Sequence, residues 1–317
     1  MTLYSIRADL FTRTLTAMAL VVSLHGGAAL ADQPARAPAK PATVTECDRL
    51  AADPQDQDKV APGVPKKKID APAAIKACRH AVAEQPDQPR LLYQLARALI
   101  YGDRFNTDDI EDSEVVRILN HAAESGYPAA QLLVGLWLLK DGTDEKRTTA
   151  IRWVERAADT GNVIAQIWLG DHFSRPKARG GSFERAVTWY QRAHDQGNAE
   201  ATVLLGTLLY QDDRSDQPNR RRGLRFLRTA ANGGNLTART FLATYSIYGE
   251  IDDFSEDEAV DFLTEMAKQG SYGARITLFT HFQSTRNTAR IRWVVCTAPE
   301  RQRRGLMIML ENFEFCN

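Results

Sequence analysis

From about Asp70 to residue 283, apolar side chains recur every third or fourth position, the spacing of one helix face, and no stretch alternates as a half-buried strand does. Ile75, Cys78 and Val82 share such a face, with Pro86 just beyond its end. The pattern also repeats. Gly-x-x-x-Ala recurs as GYPAA at Gly126, GNVIA at Gly161, GNAEA at Gly197, GNLTA at Gly234 and GSYGA at Gly270, separated by 35, 36, 37 and 36 residues. Nine residues after each glycine stand Gly135, Gly170, Gly206 and Ala243, and Phe279 breaks the rule. Eight residues before stand Ile118, Trp153, Trp189, Phe226 and Phe262; eleven before stand Val115, Ala150, Ala186, Gly223 and Ala259. This register predicts helix-turn-helix units. The repeat glycine ends the second helix of a unit in a left-handed turn, the small residues mark close helix crossings, and the aromatic position fills the space between units. One helix pair cannot bury its apolar face alone, so the units must stack.

The run AVTWYQRAHDQGNAEATVLLG, Ala186 to Gly206, carries A-x-x-W-Y-x-x-A-x-x-x-G-x-x-x-A-x-x-x-L-G and resembles the Sel-1-like repeat, a relative of the tetratricopeptide repeat. The resemblance covers residues 112–283 and implies an all-α fold, a right-handed α-solenoid of stacked helix-turn-helix repeats. Residues 46–111 read as an N-terminal cap with a looser tetratricopeptide-like unit, ACRHAVAEQPDQPRLLYQLARAL. Residues 284–317 read as a C-terminal helical cap, with Thr297-Ala298-Pro299-Glu300 as a capping box before the apolar GLMIMLENF. Two segments depart from the family pattern: 174–182 and 211–222 are longer polar insertions between helices.

The first residues have the character of an address. Arg7 and Arg13 precede the short apolar run Leu15 to Leu24, and Ala29-Leu30-Ala31 is the small-residue pattern that signal peptidase accepts. Residues 1–31 therefore read as a cleaved signal peptide and 32–45, rich in Pro and Ala, as a flexible linker. The destination is the periplasm or the exterior, without stable membrane insertion after cleavage.

Export changes the meaning of the four cysteines, Cys47, Cys78, Cys296 and Cys316, which suggest two disulfides. In a linear stack the chain ends lie tens of ångströms apart at ~10 Å per helix layer, whereas bridged Cα atoms lie within ~7 Å. The pairs are then Cys47–Cys78 and Cys296–Cys316. The second requires the chain to fold back, since an unbroken helix over 299–313 would carry Cys316 ~20 Å from Cys296.

Without residues 1–31 the chain holds 38 basic and 39 acidic side chains, a balance that speaks against nucleic acid as partner. None of the nucleophile-elbow, phosphate-loop, zinc-helix or dinucleotide-binding signatures is present. No metal or other cofactor is called for, and the chain reads as a non-enzyme. His121 and His194 suit helix C-termini, while His80, His172 and His281 are scattered. Asp103, Asp108, Asp109, Glu111, Asp112 and Glu114 form an acidic loop and first turn without calcium-loop spacing.

Two sets of side chains are candidates for binding a protein or peptide. The resemblance implies that the first helix of each unit lines a concave wall. On those helices Gln131, Gln166, Thr202, Arg239 and Arg275 each follow the repeat glycine by five residues, outside the expected packing positions. The alternative is a basic patch of Arg220, Arg221, Arg222, Arg225 and Arg228, with Arg214 before it, facing an acidic partner or anionic polymer. The resemblance also implies an extracytoplasmic protein-binding scaffold or regulator. Two other functions stand beside it: an envelope-structural protein that binds peptidoglycan or polysaccharide machinery, and a β-lactam-binding hydrolase. The second belongs to relatives with a cysteine pair in every repeat, and the repeats here have none between Gly126 and Gly270. Purified from the periplasm, the protein is expected to begin at Asp32 by intact mass; a membrane-bound product retaining Met1 rules out cleavage after Ala31.

Overall fold

In the computed structural model the described residues are 43–102, 114–139, 143–175, 181–212, 217–310 and 316. Residues 1–42, read above as a signal peptide and most of a linker, residues 103–113 of the acidic loop and Arg214 lie outside them. The described residues are all helical apart from turns, with no strand. Three helices open the fold: α1 (Glu46–Ala51), α2 (Ala71–Glu84) and α3 (Pro89–Gly102). Ten more follow as five pairs. These are α4 (Glu114–Glu124) with α5 (Pro128–Leu138), α6 (Asp144–Asp159) with α7 (Val163–Ser174), and α8 (Phe183–Asp195) with α9 (Ala199–Tyr210). Then come α10 (Gln217–Asn232) with α11 (Leu236–Ile247), and α12 (Glu256–Lys268) with α13 (Tyr272–Ser284). The chain closes on α14 (Thr288–Cys296) and α15 (Glu300–Leu310). Successive helices pack on one another, the stacked pairs of an α-solenoid.

The repeat glycine makes the joint of each pair. At Gly161 the backbone turns left-handed, φ +97°, and the Gly161 and Asn162 N–H groups donate to the Ala158 and Ala157 carbonyls at 3.1 and 3.0 Å. The same two bonds recur at Gly126, Gly197, Gly234 and Gly270. They close one helix while the next residue opens another: Asn162, Asn198, Asn235 and Ser271 each accept the N–H three positions on. At Gly126 the second role falls to Pro128 at the start of α5.

The small positions are small because backbones meet. A Cβ on Gly135 would lie 2.8 Å from the Ala150 carbonyl oxygen, one on Gly170 2.4 Å from the Tyr190 ring, and one on Gly223 2.6 Å from the Gly206 carbonyl oxygen. The last pair brings α9 and α10 together backbone to backbone. Phe279, the exception, is fully buried in one cluster with Val294 and Val295 of α14 and Leu306 of α15. The unit that loses its small residue is thus the one that carries the cap.

The aromatic position differs from expectation. Trp189 is buried, but Trp153, Phe226 and Phe262 are half-buried, so they do not fill closed space between units. Arginines roof them instead: Arg156 over Trp153 at 4.7 Å, Arg192 over Trp189 at 4.5 Å, Arg222 over Phe226 at 5.5 Å and Arg239 over Phe262 at 4.5 Å.

Both ends are stapled. Cys47–Cys78 ties α1 to α2, and Cys296–Cys316 returns the C-terminus to α14, with Cα separations of 4.5 and 5.4 Å. The fold-back is possible because α15 ends at Leu310. Two details of the C-terminal cap depart from the sequence reading. It contains an additional helix, α14, and Thr297 does not cap α15: its hydroxyl donates back to the Trp293 carbonyl at 2.6 Å. The insertion 211–222 is also shorter than expected, because α10 already begins at Gln217, with Pro218 in its first turn.

The joint before α14 repeats the pair geometry with the wrong residue. Arg286 holds φ +54°, its N–H and that of Asn287 donate to the Gln283 and Phe282 carbonyls, and Asn287 caps α14. An L side chain there costs about 1–2 kcal/mol. Arg286→Gly relieves that cost and loses part of the gain to unfolded-chain entropy. A net stabilisation of about 0.5–1 kcal/mol is expected in denaturant unfolding. Gly223→Ala, by contrast, forces two backbones apart and should destabilise by about 1–3 kcal/mol in the same measurement.

Candidate binding surfaces

Residues 52–64 form a loop whose ends meet: the Val64 N–H donates to the Ala52 carbonyl at 2.8 Å. Buried Arg97 of α3 seals the closure by donating to the Ala51, Ala52 and Val64 carbonyls. The loop then reaches along successive units. Tyr93 of α3 donates to Asp53 at 2.8 Å, Tyr127 before α5 donates to buried Asp56, and Gln57 accepts the Val163 N–H at the start of α7 at 3.1 Å. Burial raises the pKa of Asp56, Tyr93 and Tyr127 alike. A cavity of about 190 Å³ remains between the loop and Leu132, Leu133 and Leu136 of α5. The loop therefore covers this part of the surface of α3, α5 and α7. Its contacts join residues up to 106 positions apart, which local patterning does not reveal.

The row of five residues behaves differently from the expectation that it projects free of packing. Gln131, Gln166, Thr202 and Arg275 are all buried, between 3% and 8% exposed. Their polar groups finish helix ends within the chain. Gln131 donates to the Ala123 carbonyl at 3.1 Å and Gln166 to the Ala158 carbonyl at 2.9 Å, each the third residue before its repeat glycine. Thr202 meets the His194 ring at 2.8 Å. Arg275 donates to the Val294 carbonyl at 3.0 Å at the end of α14, and burial lowers its pKa. Side chains so engaged are not presented to a partner. Arg239 alone in the row is exposed.

The basic patch is also largely internal business. Arg220 donates to the Tyr210 hydroxyl and to Glu250, both at 2.6 Å, and burial with the Glu250 contact pushes the Tyr210 pKa up to about 12. Arg222 donates to Gln191 at 2.5 Å, and Arg228 forms a two-pronged bridge to Asp253 at 2.7 and 2.8 Å. Glu250 and Asp253 lie between α11 and α12, so α10 clamps that loop. Only Arg221 and Arg225 of the five stand exposed without such a partner among the described residues.

The two sets meet at one place. A cavity of about 430 Å³ is lined by Arg228 from the patch, Arg239 from the row, Ala231, Asn232, Asp253 and Phe254, with Leu242 completing it. Sequence patterning named both arginines but gave no sign that they share a wall.

Among the described residues no cluster of His, Cys, Asp and Glu is arranged to hold a metal ion, and His80, His172 and His281 are not brought together in one. His80 faces Glu84 at 3.7 Å, His172 stacks on Trp168, and His281 meets Glu256 at 3.3 Å. No helix among the described residues is long and apolar enough to cross a membrane.

Comparison with curated protein sequences gives no significant match. Among solved structures, a protective antigen of uropathogenic Escherichia coli displaying an SLR fold superposes with TM-score 0.58 at 19% identity, covering 76% of this chain. The chain spans about half of that antigen, 52% of its length. A Sel1 repeat protein from Oxalobacter formigenes superposes with TM-score 0.51 at 16% identity, covering 75% of this chain and 98% of its own. The Sel1 repeat family matches residues 128–162, 163–198 and 199–235. Its boundaries fall one residue after the N-cap positions Tyr127, Asn162 and Asn198, so the glycine turns seen here are the junctions of its units. The chain carries three Sel1 repeats by sequence, continues them as stacked helix pairs, and is a Sel1-like repeat protein.

Proposed function

We propose that the protein is an extracytoplasmic scaffold or regulator that captures a protein or peptide partner on its solenoid surface. Sel1 repeat folds commonly serve as protein-interaction scaffolds and are typically non-catalytic. Two disulfides fit an oxidising compartment. The observation that carries the reading is the cavity between α10 and α11. Elsewhere the row's side chains on α5, α7, α9 and α13 are buried against groups of the chain itself, and α5 and α7 also meet the loop 52–64. Here an exposed guanidinium borders open volume, and Leu236, three residues before Arg239 on α11, is 52% exposed.

The test places a photoreactive amino acid at Leu236 in cells exporting the protein, with Glu145 of α6 as an exposed control position. One protein crosslinked at Leu236, absent at Glu145 and bound by the purified chain when itself purified, is the expected result. If Leu236 captures no protein while the purified chain sediments with peptidoglycan sacculi, the envelope-structural function replaces the scaffold. Turnover of a chromogenic β-lactam, lost with no other change when the cavity is altered, would establish a hydrolase instead.

A further inference from the structure

The geometry points to the cavity between α10 and α11 as a site for the C-terminal carboxylate of a peptide chain, with Arg239 as its cation. This rests on the scaffold reading and names the part of the partner that is held.

Repetition makes the argument, because the chain shows what this position does when it is satisfied. In two units the residue five after the glycine is a glutamine, and its amide donates to the carbonyl three residues before that glycine: Gln131 to Ala123 and Gln166 to Ala158. The corresponding carbonyl at Gly234 belongs to Ala231. Here the donor is replaced by Arg239, whose guanidinium makes no hydrogen bond or ion pair with any described residue, and Ala231 lines the cavity. Arg275, the other arginine of the row, is buried against the α14 carbonyls, so an arginine at this position is not by itself an open site.

Arg239 is held without being satisfied. Its guanidinium lies 4.5 Å from the Phe262 ring centroid and 5.8 Å from that of Phe254. Stacking engages the face of a guanidinium and leaves the N–H donors on its edge available, the geometry that accepts a carboxylate by two parallel bonds. The other charges on the wall are Arg228 and Asp253, which neutralise each other through their two-pronged bridge, so the cavity keeps the single positive charge of Arg239. The Ala231 carbonyl accepts the Gly234 N–H but no side-chain donor, and Arg239 has no anion among the described residues, so an N–H next to a carboxylate would complete both. The last residue of a peptide supplies both on one backbone, and Leu242 and Phe254 offer apolar wall for its side chain.

The probes are three synthetic peptides: acetyl-Ala-Ala-Leu with a free C-terminus, the same peptide as its C-terminal amide, and acetyl-Ala-Glu-Leu amide. Binding is followed by NMR on the full mature chain. The free acid is expected to bind at least tenfold more tightly than the plain amide, with a preference that shrinks as salt is added. Arg239→Gln installs the residue that two sister units carry and should abolish the preference without lowering the thermal midpoint, and Arg239→Lys should keep part of it. Equal binding of acid and plain amide, or a preference that survives Arg239→Gln, overturns the site. Binding of the glutamate peptide equal to that of the free acid overturns the assignment to a chain terminus. A protein captured at Leu236 without any such preference leaves the scaffold standing and removes only the carboxylate.

Discussion

The structure depends on one constraint: a helix that ends with only three residues before another begins must satisfy both sets of terminal backbone groups within that joint. A left-handed glycine returns two N–H groups to the closing helix, and the next side chain takes an N–H of the opening one. A joint this short brings the two helices of a pair alongside each other, and each pair must then pack closely on the next. Gly135, Gly170, Gly206 and Gly223 serve that second contact: they lie where α5 meets α6, α7 meets α8 and α9 meets α10. The Ala123 and Ala158 carbonyls, which already accept the glycine N–H, take a second donor from Gln131 and Gln166, polar residues that look like surface in the sequence and are interior in the fold.

A stack built this way has two unfinished ends, and the chain closes them by different means. At the N-terminus the closure is polar and covalent. Buried Asp48 receives Arg90 at 2.6 Å and Gln94 at 3.0 Å, the disulfide fixes α1 on α2, and Arg97 gathers three carbonyls of the loop. Each buried charge has partners, which is the condition under which such groups are tolerated inside a protein. At the C-terminus the closure is apolar, with Phe279 in place of the small residue and α14 and α15 laid over it, and it too carries a disulfide, Cys296–Cys316.

What could be read beforehand follows from this division. The glycine joints, small positions and helix pairs were legible because each is fixed by residues within one unit and restated in the next. The disulfide pairs were legible because a linear stack separates its ends. The cap helix α14 was hidden because Arg286 occupies a joint where glycine is the readable sign, although Asn287 kept the capping half of the signal. The loop 52–64 was hidden more deeply, since its partners Tyr93, Tyr127 and Val163 lie 40, 71 and 106 residues from the groups they meet. The row was misread because polarity records that a side chain needs a partner and not whether that partner is water or a carbonyl. The basic patch failed for the same reason: its arginines answer Glu250, Asp253, Gln191 and Tyr210.

That failure is also what makes the α10–α11 cavity informative. In a chain without repeats, an arginine at the edge of a cavity means little, since exposed arginines are common and most are solvated. Repetition supplies an internal control. Position five after the glycine is occupied five times, and four of those side chains are buried against groups of the same molecule. The fifth is held on an aromatic ring with its donors unspent, in a cavity also lined by Ala231, the counterpart of Ala123 and Ala158. Stability alone does not account for it, because a glutamine there would engage Ala231 as it engages Ala123 and Ala158 in the earlier units. The exception to a structural rule that the chain otherwise keeps is where a demand other than folding acts on the sequence.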